Sequence, residues 1–119
     1  MAFTGNYSCN TLRSGLMDGT INFATDTFYL ALYTNAATLD QTTTAYTPTG
    51  EASGGDYSPT GTQVTATVNT STTDSGSITY VNFSSPSWTG EITARGALIY
   101  KAGDNGAVCV LDFGADKTS

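Results

Sequence analysis

From Phe28 to Tyr33 the chain reads Phe-Tyr-Leu-Ala-Leu-Tyr, with no position given over to a water-seeking side chain. In an extended backbone, Phe28, Leu30 and Leu32 point to one side and Tyr29, Ala31 and Tyr33 to the other. Both faces are apolar, which predicts a central strand covered on both sides. Any fold open to this chain must cover that strand twice.

Composition supports a β reading. The 119 residues include 23 Thr and 11 Ser, and only 12% are charged, about half the usual share. Threonine's branched Cβ suits a pleated surface, so strands with hydroxyls on their solvent face are expected. No break in composition divides the chain, and a single domain over residues 1–119 follows. A domain of this size buries only about two-thirds of its unfolded surface, so its core is modest.

Local patterns place the elements. Residues 9–18 are the one predicted helix, capped at Asn10 or Thr11. Leu12 and Leu16 share its apolar face, and Asp18-Gly19 stops it. The segment from Asn35 to Thr62 is a long polar loop with Pro48, Pro59 and four glycines (Gly50, Gly54, Gly55 and Gly61). A loop of that length is usually functional or docked onto something. Val64-Thr-Ala-Thr-Val68 alternates as one strand, and the turn Asp74-Ser-Gly76 leads into a second at 78–83. Ile92–Tyr100 and Ala107–Phe113 flank a turn-rich loop and predict a hairpin. Five strands, one short N-terminal helix and a long loop predict a mainly β fold, a small antiparallel β-sandwich or barrel. The last residues, 114–119, are read as lacking a closing strand, leaving an edge open or completed by a neighbouring subunit.

Charge narrows the partners. A net charge of -6 with only Arg13, Arg95, Lys101 and Lys117 as cations offers no basic patch, so neither nucleic acid nor an anionic membrane is expected. No apolar run approaches the roughly 18 residues of a membrane span. The N-terminus shows no signal-peptide pattern, so a cytoplasmic origin is expected. Cys9 and Cys109 match no metal spacing and are read as two free, largely buried thiols.

Catalytic chemistry finds little to work with. The sequence contains no histidine, which removes the commonest general base and metal ligand. Glu51 and Glu91 are a formal glycosidase pair, but one lies in a Gly-rich loop and the other after a turn. The turn at 103–106 lacks the spaced acidic residues of a calcium loop. No enzyme activity, cofactor or metal site is predicted. For binding, Phe3, Tyr7, Tyr46, Tyr57 and Trp88 are candidate interface residues, since aromatics are enriched at interfaces. Arg95 lies inside an apolar strand. It is either a surface-facing partner of Asp112 on the next strand or a contact across a subunit boundary.

Several of these segments together resemble a family of small virion structural proteins of tailed, often marine, bacteriophages. The resemblance is carried by Phe28-Tyr-Leu-Ala-Leu-Tyr-Thr34, Ala37-Thr-Leu39, Thr42-Thr-Thr-Ala-Tyr46 and Gly55-Asp-Tyr57. It continues through Phe83, Trp88, Val110-Leu-Asp-Phe-Gly114 and Asp116-Lys-Thr118. Its most specific piece is Thr93-Ala-Arg-Gly-Ala-Leu-Ile-Tyr100. Running from about residue 20 onward, the resemblance implies a structural role in the particle and brings no catalytic residues with it. Proteins resembled here continue past Asp-Lys-Thr with another strand-like segment, where this chain ends.

The role expected first is a capsid decoration (cement) protein on the outer head surface, localised in the virion after assembly in the host cytoplasm. Its expected partners are the major capsid protein, other virion proteins, or copies of itself, as in a trimer. The loop from Asn35 to Thr62 and the arm Met1–Ser8 are the expected contact segments. The alternatives are a tail, fibre or connector subunit, and a carbohydrate-binding β-sandwich that uses Trp88 and the tyrosines.

Overall fold

A computed structural model describes residues 5–84, 86–103 and 106–118. In chain order the elements are β1 (Tyr7–Ser8), α1 (Asn10–Asp18), β2 (Phe28–Tyr33), β3 (Thr62–Val64), β4 (Ala66–Thr73), β5 (Gly76–Phe83), β6 (Thr93–Lys101) and β7 (Ala107–Thr118). Five strands form one antiparallel sheet in the order β1-β7-β6-β2-β3, and β4 pairs with β5 in a separate ribbon. The architecture is the expected mainly β, sandwich-like one, with a short N-terminal helix and a long loop.

β2 sits inside the sheet, between β6 and β3, and both of its faces are covered. On one face Tyr29 pairs with Tyr100 and Ala31 with Leu98, under a layer formed by Cys9, Ala37 and Leu39. On the other, Leu30 pairs with Ile99 and Leu32 with Ala97. That face packs against Ile21 and Val64 at one end and against Ala52, Tyr57 and Ile92 at the other. Much of the covering comes from the segment between β2 and β3, which is docked onto the sheet rather than held away from it.

The single alternating run expected over 64–68 is divided at Thr65. β3 stays with the main sheet, and β4 leaves it to pair with β5. Two bonds pin the crossing point: Thr65 N–H donates to Ser84 Oγ at 2.8 Å, and Ser84 N–H donates to the Thr65 carbonyl at 2.9 Å. An aromatic triangle fixes the base of the ribbon, with Phe23, Phe28 and Phe83 at centroid separations of 5.2, 6.0 and 5.9 Å. The two contacts of Phe83 are edge-on, and ring contacts of this kind add to the area they bury.

Three expectations are corrected. The helix begins after Cys9, which occupies the N-cap position without a side-chain bond, so neither Asn10 nor Thr11 caps it. Leu16 is exposed, and the helix instead packs through Leu12 and the buried Gly15. A Cβ at Gly15 would stand 2.7 Å from Ile21 Cδ1, so only glycine lets the chain return this closely. At the other end, Gly19 is left-handed and stops the helix as expected. Residues 114–118 are not a tail outside the sheet but the continuation of β7, pairing back to Thr93 and Ala94.

The outer edge of β7 beyond β1 is blunted by side chains. Asp112 N–H donates to Asn6 Oδ1 at 2.6 Å, and Gly114 N–H donates to Asp112 Oδ1 at 2.8 Å. Gly114 is also left-handed at φ 82°, which turns the strand from a straight pairing line. These devices occupy the groups that a foreign strand would seek.

Candidate interaction surface

The long loop is held by a network around Glu51. Gly50 to Ala52 lie along the edge of β2: Thr34 N–H donates to the Gly50 carbonyl, and Ala52 N–H donates to the Leu32 carbonyl. That pairing leaves Leu32 N–H to be satisfied from elsewhere, and it donates to Tyr57 Oη at 3.0 Å. The Tyr57 hydroxyl in turn donates to Glu51 Oε2. Tyr46 Oη donates to Oε1 at 2.5 Å, and Thr60 N–H donates to Oε2 at 2.9 Å. Two further phenols close the loop on its own carbonyls: Tyr33 on Thr47 and Tyr100 on Thr60, each at 2.6 Å.

Burial and the Glu51 carboxylate raise the tyrosine ionisations. Tyr46 is pushed up to about 12, by burial first and then by its bond to Glu51. Tyr57 and Tyr33 are raised further, chiefly by burial. At neutral pH all of these phenols remain donors. Within the loop, Thr60 has φ 77°, an uncommon conformation for a β-branched residue. Its N–H and its carbonyl are the two groups bonded by Glu51 and Tyr100. The network therefore holds a strained turn in place.

With its loop secured, the molecule presents one projecting element. The β4–β5 ribbon pairs in register from Ala66–Phe83 to Thr73–Gly76, and every residue from 70 to 80 is exposed. Its apolar side chains are uncovered: Ile78 is 62% exposed, Val68 49% and Tyr80 41%. Hydroxyl pairs Thr70–Thr79 and Thr72–Ser77, at 3.1 and 2.9 Å, run along one face. Asp74, at the tip, is the only charged residue between Tyr57 and Gly90. The molecule measures 44 × 28 × 27 Å, an excess of about 16 Å along one axis, which matches roughly five residues of strand.

A second feature is an open apolar groove of about 400 Å³, lined mainly by Leu32, Trp88, Ile92, Ala94 and Phe113, with Lys117 at its side. Trp88 packs on Tyr57 at a tilt, with centroids 5.5 Å apart. The groove thus lies directly over the loop network.

The sequence-predicted residues fall in different places. Tyr57 is buried and Tyr46 half-buried, both committed to Glu51. Tyr7 packs half-buried beside Cys9. Trp88 lines the groove, and Phe3 lies outside the described residues. Arg95 pairs with Asp112, Nε to Oδ1 at 3.1 Å, both side chains largely shielded. It lies where the register shifts between Ala94 and Gly96, opposite the longer β7 stretch between Asp112 and Lys117, and such irregularities re-aim a side chain. Gly114 N–H, together with this guanidinium, holds the Asp112 carboxyl below the usual range. Cys9 and Cys109 are both free, with Cys9 buried and Cys109 half-buried, and burial pushes their thiols up to about 11 and about 12.

The ribbon and the Glu51 network were not singled out by the sequence. A spacing of Tyr46, Glu51 and Tyr57 was the only local hint of the network, and alternation at 78–83 reads the same whether or not its apolar face is covered.

For chemistry, both Glu51 oxygens are occupied by donors from the loop, and Glu91 is exposed. Among the described residues no group of three His, Cys, Asp or Glu side chains assembles, and no helix is long and apolar enough to cross a membrane. What the arrangement offers is exposed apolar surface on a braced scaffold. Compared with known proteins, the chain matches no protein-family model, no curated protein and no solved structure.

Proposed function

We propose that this protein is a structural component of a tailed-bacteriophage particle, a capsid decoration protein that binds the outer head surface and stabilises it. The observation that carries the reading is the projecting, nearly charge-free ribbon with Val68, Ile78 and Tyr80 uncovered. Ile78 and Tyr80 share one face of the ribbon and Val68 lies on the other, and apolar side chains held outward on a two-stranded ribbon are costly to leave in water. The resemblance of Thr93–Tyr100 and its neighbours to virion structural proteins supplies the context. Weak single contacts suffice on a repeated lattice, because many copies give avidity.

The contact element in this reading is the ribbon rather than the 35–62 loop, whose Ala37, Leu39, Ala52 and Tyr57 are already buried against the sheet. Cryo-microscopy of purified particles tests it. Density on the outer head lattice in hundreds of copies, with the β4–β5 ribbon at the contact, is the expected result. Density at the tail or vertex would assign a tail, fibre or connector role, and absence from the particle would overturn the reading. Trp88 in an open groove beside Ser87 and Thr118 favours carbohydrate binding as a second reading, which a glycan array on the isolated protein tests.

A further inference from the structure

Ribbon and groove are complementary to each other. The ribbon is apolar along Ile78 and Tyr80 and ends in Asp74. The groove is apolar along Trp88, Ile92 and Phe113, and among the described residues Lys117 is its only charged lining residue. Two of the four cations are engaged with carboxylates: Arg95 on Asp112, and Lys101 with Asp26 at 3.8 Å. Among the described residues neither Lys117 nor Asp74 forms an ion pair. Ser71–Ile78 lies two ladder pairs behind the last one, Thr73–Gly76, or about 7 Å along the ribbon. An isoleucine seated among Trp88, Ile92 and Phe113 would thus bring the tip carboxylate within the span of a lysine side chain.

We propose that the β4–β5 ribbon of one copy docks in the Trp88–Phe113 groove of a second copy, with Ile78 seated in the groove and Asp74 paired with Lys117. Ribbon and groove are different surfaces, so the contact is head-to-tail, and copies joined by it form a ring if the rotation closes or a chain if it does not. The inference shares with the proposed function the reading that the ribbon is adhesive, but it does not require a capsid. It also leaves β7's edge out of the contact, as its side-chain capping suggests.

Sedimentation equilibrium of the purified full chain at rising concentration tests it. Wild type is expected to associate reversibly. Ile78→Asp, a change at an exposed position, should weaken association about a hundredfold by removing the side chain that docking buries. Asp74→Lys and Lys117→Asp should each weaken it about tenfold, because each puts like charges together. Mixed in equal amounts, these two variants should associate again, since the lysine tip of one meets the aspartate groove of the other. Circular dichroism confirms that each variant folds. A wild type that stays monomeric at every concentration overturns the proposal, as does a mixture no more associated than its separate components. Either result leaves head-lattice binding to be decided by the particle map, so the two readings fail separately.

Discussion

Replacing Glu51 by alanine removes one carboxylate and strands three donors: Tyr46 Oη, Tyr57 Oη and Thr60 N–H. Their surroundings set the cost. Tyr57 is only 8% exposed, and its oxygen must still accept from Leu32, so its lost bond is not replaced by water. A buried donor left without a partner costs about 1–3 kcal/mol. Tyr46 is half-buried and reaches water in part, adding about 1 kcal/mol. Thr60 is exposed, and its N–H adds about 0.5 kcal/mol. Glu51→Ala should therefore destabilise the fold by about 3 kcal/mol, and for a chain of this length lower Tm by about 10 °C.

Glu51→Gln is the control. Its carbonyl oxygen can take the place of Oε2, accepting from Tyr57 and Thr60, while its amide donates to a rotated Tyr46 hydroxyl. Only the charge is lost, at about 1 kcal/mol. Urea unfolding followed by circular dichroism measures both variants, with the shift in midpoint read at constant slope. A Glu51→Ala cost below about 1 kcal/mol would refute the claim that this carboxylate holds the loop. Self-association through the ribbon should survive Glu51→Gln, because the ribbon touches no part of the network and the glutamine still holds Tyr57, on which the groove's Trp88 packs.

Thr60→Asn, which keeps the two backbone bonds and suits the left-handed region better, should raise stability by about 1 kcal/mol in the same assay; a loss would show that the turn is not strained. Alkaline pH should unfold the protein early. The raised tyrosines contribute stability that is fully present below the unfolded-state pKa of about 10 and is lost as pH climbs from there towards the folded values. Tyrosinate absorbance should consequently rise together with loss of the circular dichroism signal, and ionisation of all tyrosines near pH 10 with the fold intact would contradict this. With thiols pushed up to about 11 and about 12 by burial, Cys9 and Cys109 should react with a thiol reagent at neutral pH only slowly, and rapidly once denaturant is added. Fast labelling of both in the native state would count against their burial.

Much of the fold was written locally. Period-two alternation over 28–33, 78–83 and 92–100 needs no tertiary information, because side chains on a strand alternate whatever the strand packs against. The Gly19 stop and the Asp74–Gly76 turn are likewise local, since they depend on backbone conformations that few residues adopt. Arg95 with Asp112 was legible from two paired strands alone. The helix face was less so: Leu16 has the right spacing, but Ile21 returns over Gly15, and only the path of the chain decides which side of the helix is covered.

The sequence by itself determined a charge-poor, Thr-rich β-domain with a central strand apolar on both faces and no histidine for catalysis. Tertiary structure alone decided what covers those faces and what is left uncovered. Glu51 meets Tyr46, Tyr57 and Thr60 because the loop folds back along β2, and Trp88 and Phe113 line one groove because β7 runs on to pair with the start of β6. Strand alternation specifies that a face is apolar, but burial depends on which distant segment arrives over it. For β4 and β5 the body covers only the base, and the uncovered remainder is the surface on which the proposed function rests.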